Sequence, residues 1–90
     1  MTVEWTATNY RHFHGRIRGR IVCRLHLIEC REWGQKRDLW GVSIYQHGLK
    51  FVGERQRLGS AFEFAEREAL AYLRRRRPWW FTETGGRAAA

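Results

Sequence analysis

Proline occurs once in this 90-residue chain, at Pro78, and cysteine only twice, at Cys23 and Cys30. Everything before Pro78 is therefore free of the residue that interrupts helices and sheet ladders. Two thiols cannot supply the four ligands of a structural zinc site. An odd number of positions separates them, so on one regular strand they face opposite sides and are poorly placed to pair. No apolar run approaches the ~20 residues that cross a bilayer. The polar N-terminus lacks the apolar stretch of a secretory leader. The expectation is a cytoplasmic protein with reduced thiols and no membrane-spanning segment.

Catalytic signatures are missing too. The sequence has no Gly-rich phosphate loop, nucleophile elbow or zinc-protease motif. Glu29, Glu32 and Asp38 are the only acids whose grouping suggests a Mg²⁺ site, and Glu32 and Asp38 sit in or beside a polar stretch where solvated acids are ordinary. Neither an enzymatic activity nor a cofactor is expected.

Negative charge is scarce: nine acidic side chains face seventeen basic ones, for a net charge of +8. The imbalance is even along the chain. Residues 1–45 carry eight basic and four acidic side chains, and residues 46–90 carry nine and five. Nearly all the cations are arginines, the only lysines being Lys36 and Lys50. A chain with a pI near 10.7 draws polyanions: DNA, RNA, anionic membrane or an acidic protein. Arginine suits phosphate because its guanidinium forks and stacks. Five Trp, five Phe and three Tyr within a 43% apolar composition indicate a packed core. The length allows one domain, over residues 1–84, with 85–90 read as a disordered tail.

Period-two alternation dominates the first half. Val3 and Trp5 permit a short edge strand. Residues 16–31 read most clearly as a strand, with Ile17, Gly19, Ile21, Cys23, Leu25 and Leu27 on one face. Arg16, Arg18, Arg20, Val22, Arg24, His26 and Ile28 take the other. Gly19 marks a bulge or a hairpin, and a bulge would reverse the facing of everything before it. Residues 32–38 read as a polar turn, Leu39 to Tyr45 as the next strand, and Leu49 to Gly53 as a third after the His47-Gly48 connection.

The pattern then becomes helical. Ser60 and Glu63 have capping-box spacing, and Ala61, Phe62, Ala65, Ala69, Tyr72 and Leu73 share one stripe. Leu70 lies off it, which suggests a dimer contact. The helix should end near Arg77, before Pro78. The expected fold class is α+β: a three-stranded, or with the N-terminal strand four-stranded, antiparallel meander packed on one C-terminal helix.

Two constellations carry the functional expectation. The first is the cationic strand face of Arg16, Arg18, Arg20, Arg24 and His26, whose alternate side chains are roughly 6–7 Å apart, close to the phosphate spacing of a nucleic-acid strand. The second is Arg74, Arg75, Arg76 and Arg77 followed by Trp79, Trp80 and Phe81, a basic patch with stacking side chains. At least one of Trp79 and Trp80 should be buried. The same segment could close the core or bind anionic lipid. Lys50 completes the set of nucleic-acid-contacting candidates. His12 and His14 share a strand face but have no carboxylate or thiol at ligand spacing, so they read as surface or nucleic-acid-facing imidazoles, not as a metal site.

From Trp40 to Tyr72 the chain resembles plant AP2-type and phage-integrase arm-binding domains, through Trp40, Val42, Ile44, Gly53, Phe62, Ala65, Glu68, Ala69 and Tyr72. The resemblance implies a sheet that enters the DNA major groove with a helix supporting its back. The Glu54–Gly59 link and the longer first strand depart from that pattern. Taken together, the expectation is a nucleic-acid-binding module for DNA or RNA. The rival is a protein-interaction module or inhibitor docking on an acidic protein partner or a nucleoprotein complex, with Trp33, Leu70 and Phe81 as its candidate residues and a homodimer as a further arrangement.

Overall fold

The computed structural model describes residues 3–32 and 35–81, with side chains described outside 30–37. Trp33 lies outside the described residues, as does the expected tail. Five antiparallel strands in the order β1-β2-β3-β4-β5 form one meander: β1 Glu4–Asn9, β2 His12–Ile17, β3 Arg20–Glu32, β4 Gln35–Tyr45 and β5 Leu49–Arg55. One helix, α1 Leu58–Arg76, follows and packs on β3, β4 and β5. The class is α+β, with more strands than the alternation suggested.

The extra strand is β2, which takes residues 12–15 together with the first two residues of the run 16–31. Arg18 and Gly19 have φ of 51° and 79°, the left-handed pair that turns a tight hairpin with the twist of its strands. Ile17 pairs with Arg20 across this turn. Nor do residues 35–38 remain in a turn: they pair with 29–32 and lengthen the β3–β4 hairpin.

Ladder irregularities fix which side chains share a face. Gly15 pairs with Cys23 and Arg16 with Ile21, leaving Val22 as an extra residue in β3. That bulge reverses the parity of Ile21 and Arg20 relative to Cys23. A second irregularity sets Val42 opposite Gly53 but Ser43 opposite Phe51, so Val52 is the extra residue in β5.

The core lies between the sheet and α1. Val3, Ile17, Val22, Cys23, Leu25, Val42 and Ile44 are buried from the sheet, and Ala61, Ala65, Ala69 and Leu73 from the helix. Three alanines at four-residue spacing let the helix lie close to the strands, as the stripe implied. Aromatic side chains close the margins. Phe13 meets Phe62 edge to face with centroids 5.2 Å apart, and Trp5 approaches Phe62 at 4.7 Å. Leu70 also packs, partly buried, against this core.

The helix begins earlier than the capping-box spacing suggested. Arg57 is its N-cap and makes no side-chain cap hydrogen bond, while Ser60 falls inside the first turn. At the other end Arg77 adopts the left-handed conformation and its N–H donates to the Leu73 carbonyl at 2.8 Å. Pro78 follows, and a turn closed by Phe81 N–H to the Pro78 carbonyl brings the tail back. Trp80 and Phe81 then pack against the core, whereas Trp79 is 86% exposed.

Candidate functional site

α1 covers one face of the sheet, and the other face is open. Phe13 packs on Phe62 of the helix, and a Cβ at Gly15 would run into Cys23, Val3 and Trp5. The helix side of β2 is therefore 13, 15 and 17, and by alternation His12, His14 and Arg16 look outward. The pairings extend this parity across the sheet. Thr6, His14, Arg24, Ser43 and Phe51 are successive partners on all five strands. The neighbouring row is His12, His26, Gly41 and Glu54. Cross-strand neighbours of this kind have Cβ atoms about 4.5–5.5 Å apart.

The centre of the open face is thus one row that sets an imidazole beside a cation, His14 and Arg24, and a neighbouring row with two imidazoles, His12 and His26. His26 fits because Gly41 opposite has no side chain: a Cβ there would collide with the ring. Its imidazole lies 6.2 Å from the Phe51 ring, which is 54% exposed. His14 Nδ1, His26 Nδ1 and Arg24 Nε are all buried from solvent and have no hydrogen-bond partner. Unpaired buried donors and acceptors of this kind are costly, and three in one patch call for a common explanation.

The electrostatics agree with the geometry. His14 is held below its usual pKa first by burial and then by Arg16, Arg24 and His12. His26 is lowered in the same way by burial, then by Arg24 and His12. Like charges crowd each imidazole toward its neutral form. Two acids share this face by parity, Glu4 opposite Arg16 and Glu54 opposite Gly41, each on an edge strand. Among the described residues neither forms an ion pair, and Arg16, Arg18, Arg20 and Arg24 form none either. The Arg11–Glu29 pair at 3.1 Å lies elsewhere, on the exposed surface. No group of three or more His, Cys, Asp or Glu is placed to hold a metal ion among the described residues.

The four arginines expected on one strand face are not brought together. Arg16 and Arg24 stay on the open face, with His26. Arg18 is at the hairpin tip. The Val22 bulge turns Arg20 to the helix side, where its guanidinium lies 5.3 Å from the Trp79 ring and 5.1 Å from Trp80. Arg20 therefore joins the second constellation, at the end of the sheet beside the helix C-terminus. There Arg75 lies 6.0 Å from the Tyr72 ring, and Arg76 Nη2 donates to His47 Nε2 at 3.3 Å. Arg74, Arg75, Arg76 and Arg77 are all exposed. Lys50, paired with Ile44, takes the helix-side parity on edge strand β5, away from the imidazole rows.

Sequence reasoning left Phe51 out of the interface and read His12 and His14 only as surface or nucleic-acid-facing imidazoles. Their signal was available in part: His12 and His14 share Arg16's parity within one strand. Phe51 joins them only through the irregularity at Val52.

No known protein family, curated protein or solved structure matches the chain.

Proposed function

We propose that this protein is a nucleic-acid-binding module without enzymatic activity, gripping phosphates on the open face of its sheet. The observation that supports this best is the His14–Arg24 cross-strand pair. It has nitrogens buried without partners, like-charged neighbours and no acid within its row. A phosphate oxygen would supply the missing acceptor to Arg24 and favour protonated imidazoles. Arg16 extends the grip along the strand, and exposed Phe51 offers a face for a base or sugar. Arg74 to Arg77 add backbone contacts at the sheet's end.

Binding through phosphates releases counterions. Affinity for labelled duplex DNA, single-stranded DNA and RNA should fall with salt, at a log–log slope of about −0.9 per duplex phosphate neutralised and about −0.7 per single-stranded one. Arg16→Ala with Arg24→Ala should weaken binding and reduce that slope by roughly two such contributions. A salt-independent affinity, or a double variant that binds as the parent does, removes the reading.

Docking on an acidic protein partner is the second reading. It is favoured by Tyr45, Leu49 and Phe51, which are 39%, 39% and 54% exposed on and beside the edge strand. Its signature would be a salt-sensitive protein complex that nucleic acid does not displace.

A further inference from the structure

A cleft of about 300 Å³ opens at the end of the sheet, where the hairpin turns meet the helix C-terminus. Ile21, Tyr45, Tyr72, Leu73, Arg76 and Trp80 line it. Its walls are aromatic and aliphatic. Its rim is cationic: Arg76 is in the wall, bonded to His47, and Arg20 stacks on Trp79 and Trp80. Arg20 and Arg76 have no acidic partner among the described residues. This is the lower end of the size range of small-molecule sites, an apolar body with a few convergent polar groups.

We propose that this cleft receives an unpaired nucleobase, with the adjoining phosphate on Arg20 and Arg76, so that the protein's target is single-stranded. The inference rests on the nucleic-acid reading and narrows it.

Continuity with the imidazole rows supports the assignment. Ile21, in the cleft wall, is the ladder partner of Arg16 on the open face. Tyr45 lies two residues beyond Ser43, the partner of Arg24. At about 3.3 Å per residue, Ile21 and Tyr45 lie roughly 7–10 Å along their strands from Arg24 and Ser43, at the end of the sheet where the open face gives way to the helix side. Two or three nucleotides of a single strand cover that distance at the per-strand axial rise of duplex DNA, about 3.4 Å. A strand lying across the open face and turning over the end of the sheet would bring a following base to Tyr45, Tyr72 and Trp80. A duplex keeps its bases paired and stacked inside, so it could use the phosphate sites of the open face but neither the cleft nor the phosphate position beside it on Arg20 and Arg76. Exposed Trp79, held by Arg20, is poised as the outer stacking surface.

The test compares a 12-nucleotide oligo(dT), an oligo(U) of equal length and a 12-base-pair duplex at one salt concentration. Each is titrated into the parent protein and into Arg20→Ala, Trp79→Ala and Trp80→Leu. Arg20 and Trp79 are exposed, so those two variants keep the fold even if Trp80→Leu does not. Single strands should bind the parent at least tenfold more tightly than duplex. Each variant should lose about tenfold for the single strands, in the range of one base stack, and change little for the duplex. An abasic residue walked along oligo(dT) should weaken binding at one register. Comparable loss for oligo(dT) and oligo(U) means that the cleft reads the base plane, whereas loss for one alone identifies that polymer as the target. Equal affinity for duplex and single strands, or parallel losses on both, overturns the cleft assignment and leaves the phosphate grip standing. Absence of salt-dependent binding to any of the three removes both.

Discussion

The indole Nε1 of Trp5 donates to Glu66 Oε2 at 2.7 Å, tying the first strand to the middle of the helix across 61 residues of sequence. β1 pairs with β2 alone and closes one edge of the sheet, so this bond and the Trp5–Phe62 contact hold that edge to the helix. Glu66→Ala should cost about 1–2 kcal/mol by leaving the half-buried N–H unpaired. Glu66→Gln, which keeps an acceptor, should cost less. Urea denaturation of the two variants measures the difference, and equal stabilities would show that the bond contributes nothing net.

Gly15 and Gly41 separate stability from binding. A Cβ at Gly15 would lie 2.6 Å from Cys23 Sγ and 2.8 Å from Val3 Cγ1, inside the core. Gly15→Ala should destabilise by about 1–3 kcal/mol, as overpacked cores do. At Gly41 the clash is with the His26 ring on the open face, which can swing outward. Gly41→Ala should therefore change the melting temperature less than Gly15→Ala does. It should also weaken nucleic-acid affinity by displacing one member of the imidazole rows.

Histidine protonation should move stability and binding in opposite directions. His14 and His26 are depressed below 6.5 by burial and neighbouring cations. A group whose folded pKa is lowered contributes stability above its unfolded pKa and loses it as pH falls through the folded value. The free protein should thus become less stable as pH drops below about 6.5, while affinity for a polyanion rises over the same window. Melting curves and binding titrations between pH 7.5 and pH 5 check both. In a His14→Gln, His26→Gln variant both trends should flatten.

Cys23 should be silent at neutral pH. Burial, with a smaller push from Glu66, raises its thiol to about 12, and the thiolate is the reactive form. In a Cys30→Ser background, a thiol reagent at pH 7 should react only as the protein unfolds. The raised pKa also has a stability sign. Its contribution is complete below the ordinary thiol value and fades as pH rises toward 12, so alkaline unfolding should begin earlier than in a Cys23→Ala variant.

The β2–β3 turn leaves room for improvement. Arg18 has a positive φ of 51° ahead of Gly19, a conformation asparagine tolerates better. Arg18→Asn should raise stability by about 0.5–1 kcal/mol, read as a higher urea midpoint with an unchanged slope. If Arg18 touches phosphate, the salt slope should fall by about one contact.

The sequence by itself determined the α+β class, the alanine stripe of the helix, the helix end before Pro78 and the positive balance. Each of these is local: alternation, periodicity and composition depend on residues near one another in the chain. It did not determine which cations become neighbours. One inserted residue at Val22 separates Arg20 from Arg24, and one at Val52 sets Phe51 opposite Ser43 in the row that holds Arg24. Neither insertion leaves a mark on the alternation, because Arg20 to Val22 and Leu49 to Val52 read plausibly in either parity. Only long-range pairing chose between them. The sheet adopts the register that buries Ile17, Cys23, Leu25, Val42 and Ile44 against the helix, and the outward rows of histidine and arginine follow from that burial.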